Sequence, residues 1–168
     1  MSTPNPAGGG PLVTLGPDER ALKREKIVDV LWELQERRGW ISDDDVRAAG
    51  AECGMTAAEV DEVATFYNLL LRRPAGRMKV FVCDSISCEL RGGQRLMERM
   101  SAALGIEPGE TTADGRITLL PIVCLGHCER APCLLAGREI HGPLDVDGPS
   151  VDTLAQRIKQ DAGSPPQG

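Results

Sequence analysis

Four of the six cysteines stand in two close pairs. Cys83 and Cys88 enclose four residues, and Cys124 and Cys128 enclose three. Each pair begins where an apolar run ends, Met78-Lys-Val-Phe-Val before Cys83 and Leu119-Leu-Pro-Ile-Val before Cys124. The chemistry open to such a set is a disulfide, a redox dithiol, a zinc site or an iron–sulfur centre. A 2Fe–2S cluster asks for this pattern, because each tetrahedral iron takes two thiolates and a short-spaced pair supplies both. With four thiolates and two sulfides against two ferric irons, the oxidised cluster has a formal charge of about −2 and needs backbone N–H donors around it. Gly126, and Gly92 and Gly93 after Cys88, let the backbone come close with no side chain in the way.

The rivals differ in what they require. Structural zinc also takes four cysteines, usually in closer pairs, and on spacing alone it stays open. A dithiol oxidoreductase wants Cys-x-x-Cys at a helix start, and the chain has none. A disulfide framework belongs to oxidising compartments. A cluster with two histidine ligands would need both His127 and His141, the only histidines present. His141 falls at the end of a predicted strand, and His127 is expected to be an exposed loop residue. Cys53 reads as a small buried apolar residue. Cys133 reads as the first residue of a strand that continues through Leu134 and Leu135, and no ligand role is assigned to it.

The elements that must hold these cysteines can be read from the pattern. Ile27, Val30, Leu31 and Leu34 form one helical stripe, within a helix expected from Asp18 to Gly39. Ser42 with Asp45 predicts the cap of a second, short helix, and Thr56 with Glu59 predicts a capping box. The helix after Thr56 is expected to carry Val60, Val63, Tyr67, Leu70 and Leu71 and to stop before Pro74. Residues 18–72 thus read as a helical bundle. Then the pattern changes to a strand from Met78 to Cys83, a helix from Gly93 to Leu104 and a strand from Ile117 to Cys124. A hairpin pairs Cys133–Ala136 with Glu139–His141 across Gly137-Arg138. A last helix carries Val151, Leu154 and Ile158. The fold class is α+β or α/β: an N-terminal helical bundle, then at 76–161 a small layer of helices against a mixed sheet that matches the thioredoxin-like plan in outline. Residues 1–17 and 162–168, rich in Pro, Gly and small polar residues, read as a disordered arm and tail.

Composition narrows the function. The 168 residues are 41% hydrophobic, enough for a core without disulfides. A net charge of −6, with no Lys/Arg cluster, argues against a nucleic-acid face. No apolar run approaches the roughly 20 residues of a membrane span, so no direct membrane insertion is expected. The start, MSTPNPAGGGPL, has neither the basic nor the apolar part of a signal peptide. A cytoplasmic location with reduced thiols is therefore expected. No Gly-x-Gly-x-x-Gly follows a strand, so neither an NADH nor a flavin site is expected on this chain.

Four segments in order, "VATFYNLLLRRPAGR", "CDSISC", "GIEPGETTADGRITLLPIVCLGHC" and the "AP" at Ala131-Pro132, carry a resemblance. From about residue 20 to 160 the chain resembles the small 2Fe–2S subunits of the NADH dehydrogenase module of respiratory complex I. The resemblance implies a thioredoxin-like ferredoxin domain with one 2Fe–2S cluster, bound by Cys83, Cys88, Cys124 and Cys128. It further implies a one-electron carrier that takes electrons from FMN. FMN and NADH would sit on a partner subunit, beside other iron–sulfur subunits, in the peripheral arm of a membrane-attached complex on its cytoplasmic side. The cluster of this family lies beside the flavin, off the main line of transfer towards quinone. The helical part, with Ala64-Thr-Phe-Tyr67, would be the docking element. The alternatives are a diaphorase subunit of an NAD-linked hydrogenase or formate dehydrogenase, and a free-standing thioredoxin-like ferredoxin.

Overall fold

The computed structural model describes residues 17–163. The arm before Pro17 and the tail after Gly163 lie outside the described residues. Pro17 itself and Ala162–Gly163 are helical.

The N-terminal part is four helices: α1 (Pro17–Glu25), α2 (Ile27–Arg38), α3 (Asp43–Cys53) and α4 (Ala57–Phe66). The expected first helix is divided at Lys26, where the apolar stripe begins. Leu22 on α1 is 61% exposed, whereas Ile27 and Leu31 on α2 are buried. Only the second segment has an apolar face to bury, and packing on that face is what stabilises a short helix. Both predicted caps form. The Ser42 hydroxyl accepts from the Asp45 N–H at 3.2 Å, and Asp45 Oδ2 accepts from the Ser42 N–H at 2.9 Å. Thr56 and Glu59 repeat this at 3.3 and 2.8 Å. Ile27, Leu31, Ile41, Val46, Ala49, Cys53, Val60, Ala64 and Leu70 close this first core.

α4 stops at Phe66, short of the expected run to Leu71, and Tyr67 turns extended. Tertiary hydrogen bonds outcompete the helix here. The Gln35 amide donates to the Leu69 carbonyl at 2.8 Å and accepts the Leu71 N–H at 2.6 Å, and the Leu71 carbonyl accepts the Ile41 N–H at 2.8 Å. Arg72 then ties the segment to Asp61 and Asp43, both at 2.6 Å. Leu70 drops into the helical core while Leu69 and Leu71 face the other way, against the sheet.

That sheet has four strands, β1 (Met78–Cys83), β2 (Ile117–Ile122), β3 (Leu134–Ala136) and β4 (Glu139–His141), in the order β2-β1-β3-β4. β1 is central. It runs parallel to β2 and antiparallel to β3, and β3 turns back into β4 across Gly137-Arg138. β1 and β4 have the expected bounds, and two strands are shorter than expected: β2 ends at Ile122, before Cys124, and β3 begins at Leu134, after Cys133. The four-residue α5 (Ile86–Glu89), which the sequence pattern did not predict, precedes α6 (Gly93–Leu104), and α7 (Ser150–Gly163) closes the chain.

Strand alternation sorts the two faces of the sheet. Val80, Val82, Leu119 and Leu134 face α6 and α7, meeting Leu96, Met100, Val151 and Ile158 in the main core. Phe81, Cys83, Ile122 and Cys133 belong to the opposite face, which Leu69 and Leu71 cover. The cysteine end of β1 therefore lies on the face that the segment after α4 packs against.

Candidate metal centre

β1 and β2 are parallel neighbours, so their C-terminal ends lie side by side. Cys83 pairs in register with Ile122, and the Asp84 N–H donates to the Ile122 carbonyl at 3.0 Å. The loops leaving these two ends carry the predicted ligands. Cys83 is the last residue of β1, and Cys88 sits on α5, both buried. Cys124 lies two residues past β2. Cys128 opens a short 3-10 turn (Cys128–Arg130), and both are exposed.

The second pair is set for a metal. The Cys124 and Cys128 sulfurs are 3.9 Å apart. A tetrahedral metal with thiolate bonds of about 2.3 Å holds its sulfurs about 3.8 Å apart. The Gly126 N–H donates to Cys124 Sγ at 3.3 Å, from a residue at φ +74° that favours glycine. This N–H, then the contact with Cys128 and a hydrogen bond from the Ser85 hydroxyl, draws the Cys124 thiol below its ordinary pKa. Ser85 stands between Cys83 and Cys88 in the chain, so its influence on Cys124 comes from the first ligand loop. Its hydroxyl makes no capping bond to α5.

The first pair is buried among more sulfur than expected. The Cys83, Cys88 and Cys133 sulfurs all lie within 4.8 Å of one another. Cys88 and Cys133 are 3.8 Å apart. Burial, then the neighbouring Cys83, pushes the Cys88 thiol up, and burial with Cys88 beside it pushes Cys133 up to about 12. Thiols held this way bind a metal with release of protons. α6 reaches close to this loop because Gly93 has no side chain: a Cβ there would lie 2.9 Å from the Cys88 carbonyl carbon.

The structure thus brings Cys83 together with Cys88 and Cys124 together with Cys128, in adjacent loops. Sequence reasoning did not place two neighbours of the site. Cys133 ends up beside Cys83 because β3 pairs with β1, and no local pattern says which strand a hairpin will join. Ser85 is an ordinary polar residue until the loops meet. The remaining expectations separate cleanly. Cys53 is 2% exposed in the helical core. His127 is a loop residue, half-exposed, with Glu129 at 4.0 Å. His141 is on β4 near Glu139, and burial lowers its pKa.

The donor set is chemically suited to iron and sulfide. It offers soft thiols at tetrahedral spacing, a backbone N–H already aimed at one sulfur, and no carboxylate among the clustered sulfurs. A mixed four-stranded sheet backed by α6 and α7, with paired cysteines at the ends of adjacent strands, defines a thioredoxin-like carrier of a thiolate-bound centre.

Residues 17–159 match the family described as Thioredoxin-like [2Fe-2S] ferredoxin, and the chain belongs to that family. It is 42% identical over 125 residues to an NADH-quinone oxidoreductase subunit from Pseudomonas aeruginosa, covering 74% of this chain and 75% of that one. It is 36% identical over 136 residues to the corresponding NADH-quinone oxidoreductase subunit from Escherichia coli K12, covering 81% of each. Among solved structures, an NAD+-reducing [NiFe]-hydrogenase in the air-oxidized state shares the fold, with a TM-score of 0.63 at 23% identity. That likeness covers 79% of this chain and 23% of the hydrogenase chain.

Proposed function

We propose that this chain is the 2Fe–2S electron-carrier subunit of an NADH:quinone oxidoreductase. Its four ligands are Cys83, Cys88, Cys124 and Cys128. The observation that carries this reading is the placement of two cysteine loops at the adjacent ends of β1 and β2, with Cys124 and Cys128 3.9 Å apart and the Asp84 N–H donating to the Ile122 carbonyl between the strand ends. When bound, the cluster supplies one-electron transfer, so a flavin must stand between it and a hydride donor. FMN and NADH are assigned to a partner subunit. The identity of 36–42% to quinone oxidoreductase subunits, against 23% to the hydrogenase, favours this host over a diaphorase.

This chain's own residues position the centre and its partner. β1 and β2 fix the ends from which the ligand loops start. Gly126 orients its N–H onto Cys124, and the Phe81 face with Leu69 and Leu71 keeps water from Cys83 and Cys88. Beside the cysteines, Ile86 on α5 and Leu90 just after it are 70% and 80% exposed, and Val123 is 66% exposed. Phe66 and Tyr67, at the end of α4, are also exposed and stack edge to face with centroids 5.3 Å apart. These apolar residues are the docking surface we assign to the flavin-bearing partner. No helix among the described residues is long and apolar enough to cross a membrane. We place the subunit in the peripheral arm of the complex, on the cytoplasmic side, without membrane insertion.

The test is direct. The chain purified without oxygen should hold about two irons and two acid-labile sulfides. Stoichiometric zinc without sulfide, from cells supplied with iron, would overturn the reading.

A further inference from the structure

Three buried cysteines, not two, meet at the end of β1, with sulfurs within 4.8 Å of one another. Cys133 is placed there by the sheet. The β1–β3 register pairs Val82 with Leu134, and the Cys83 N–H donates to the Cys133 carbonyl at 3.2 Å one step further on. Cys83 and Cys133 are therefore cross-strand neighbours, and facing residues of an antiparallel pair point to the same side. That side is the Phe81 face, where Cys88 also lies. Gly142 lies close behind Cys133: a Cβ there would lie 2.7 Å from the Cys133 Cβ. The sulfur is held forward, 3.8 Å from Cys88 Sγ, which is the tetrahedral separation for metal–thiolate bonds of about 2.3 Å.

Cys88 is anchored differently. It rides on the four-residue α5 between two loops, with exposed Ile86 and Leu90 on either side of it in sequence. Of the three cysteines buried at the end of β1, Cys83 and Cys133 share a backbone hydrogen bond beside the sheet and Cys88 sits on a short, separate element.

We propose that Cys133 is a stand-in ligand: it can replace Cys88 at the iron held with Cys83. This rests on the four-cysteine cluster proposed above. The exchange is redox-neutral. The iron–sulfur bond to Cys88 breaks, one to Cys133 forms, the Cys133 proton leaves, and Cys88 takes one up. Cys124 and Cys128 keep the second iron throughout.

The experiment uses the full chain, purified anaerobically, with iron and sulfide content, visible absorption and the EPR spectrum of the reduced protein as readouts. Cys88→Ala should keep about two irons and two sulfides, with an EPR signal shifted from that of the unaltered chain. Cys88→Ser, closer in volume, should do the same. Cys88→Ala with Cys133→Ala should lose the cluster, and Cys133→Ala alone should leave the spectrum unchanged. A Cys88 variant with a native far-UV signal but no cluster would overturn the stand-in role while leaving the four-ligand reading intact. Loss of the cluster in Cys133→Ala, with an unshifted spectrum in Cys88→Ala, would overturn both, because Cys133 would then be the resident ligand.

Discussion

Gln35 pairs with the backbone at Leu71 much as a neighbouring strand would. Its side-chain oxygen accepts the Leu71 N–H at 2.6 Å, and its amide nitrogen donates to the Leu69 carbonyl at 2.8 Å. Gln35 is 5% exposed, and both hydrogen bonds are partly buried. Leu69 and Leu71, held in place by this pairing, pack under the sheet on the face that carries Cys83. One side chain on α2 thus links the helical layer to the floor of the metal centre.

Gln35→Leu should therefore cost more than its volume change implies. It leaves one partly buried donor and one partly buried acceptor unpaired, each worth up to about 1–3 kcal/mol. A urea titration should show a loss of roughly 2–4 kcal/mol on that basis. A loss below ~0.5 kcal/mol, the scatter of a neutral surface change, would mean that the Leu69–Leu71 segment is held by packing alone.

Acid should loosen the helical layer in a defined window. The Thr56 N–H first, then Arg24 and the Thr56 hydroxyl, hold the Glu59 carboxyl at about 2. Burial opposes ionisation of Asp45, but hydrogen bonds from Ser42 outweigh it and keep its carboxyl below the usual range. Both folded values lie below unfolded values of about 3.9 for Asp and 4.3 for Glu. The stability they contribute is complete above pH ~4.3 and is lost as pH falls towards ~2. Glu59→Gln keeps a capping acceptor but cannot titrate. Comparing urea midpoints at pH 5 and pH 3 should show a shallower fall for Glu59→Gln than for the unaltered chain. Equal falls would remove the capping boxes from the acid response.

Ligand and bystander cysteines should separate on cluster content. Cys124→Ser should lose or badly destabilise the cluster, since serine is a harder and poorer donor to iron. Cys53→Ala should keep it. Cys53 packs between α-helices in a core without other thiols, and its loss should cost at most ~1–2 kcal/mol. Iron and sulfide analysis of the two variants decides between them. Loss of iron from Cys53→Ala with native helicity would mean that the helical core supports the site more directly than its contacts indicate.

What could be read in advance follows a physical division. Local signals were legible: the Ser42–Asp45 and Thr56–Glu59 caps, the apolar run of β1, the stripe on α6 and the Gly137-Arg138 turn all depend on neighbours in sequence. The departures were tertiary. α4 stops at Phe66 because Gln35, some thirty residues earlier, captures the Leu69 and Leu71 backbone. α1 breaks from α2 because only one of them has a core to face. At the site, the spacing within each cysteine pair was visible, but the sheet order β2-β1-β3-β4 was not, and that order brings Cys133 to Cys83. The four-residue α5 is too short to leave a periodic trace.

Docking of the flavin-bearing partner at the cysteine end should depend on Leu90 and Val123. Both are largely exposed apolar residues next to proposed ligands, Leu90 two residues after Cys88 and Val123 one before Cys124. Neither belongs to a buried core, so replacing them should leave the fold and the cluster unchanged. An aspartate at either position would place a charge in a desolvated interface centre, where a single residue commonly carries 2 kcal/mol or more. The chain alone should oxidise NADH with ferricyanide at a negligible rate, and co-expression with the flavoprotein should restore turnover. Leu90→Asp should weaken that complex by at least ~10-fold, the factor that about 1.4 kcal/mol represents, with iron and sulfide content held constant. Binding of the variant by the flavoprotein with unchanged affinity would move the interface away from α5, towards Phe66 and Tyr67 at the end of α4. NADH turnover by the isolated chain at ~1 s⁻¹ or faster, the low end of enzyme rates, would place a nucleotide site on this subunit itself and remove the need for a partner.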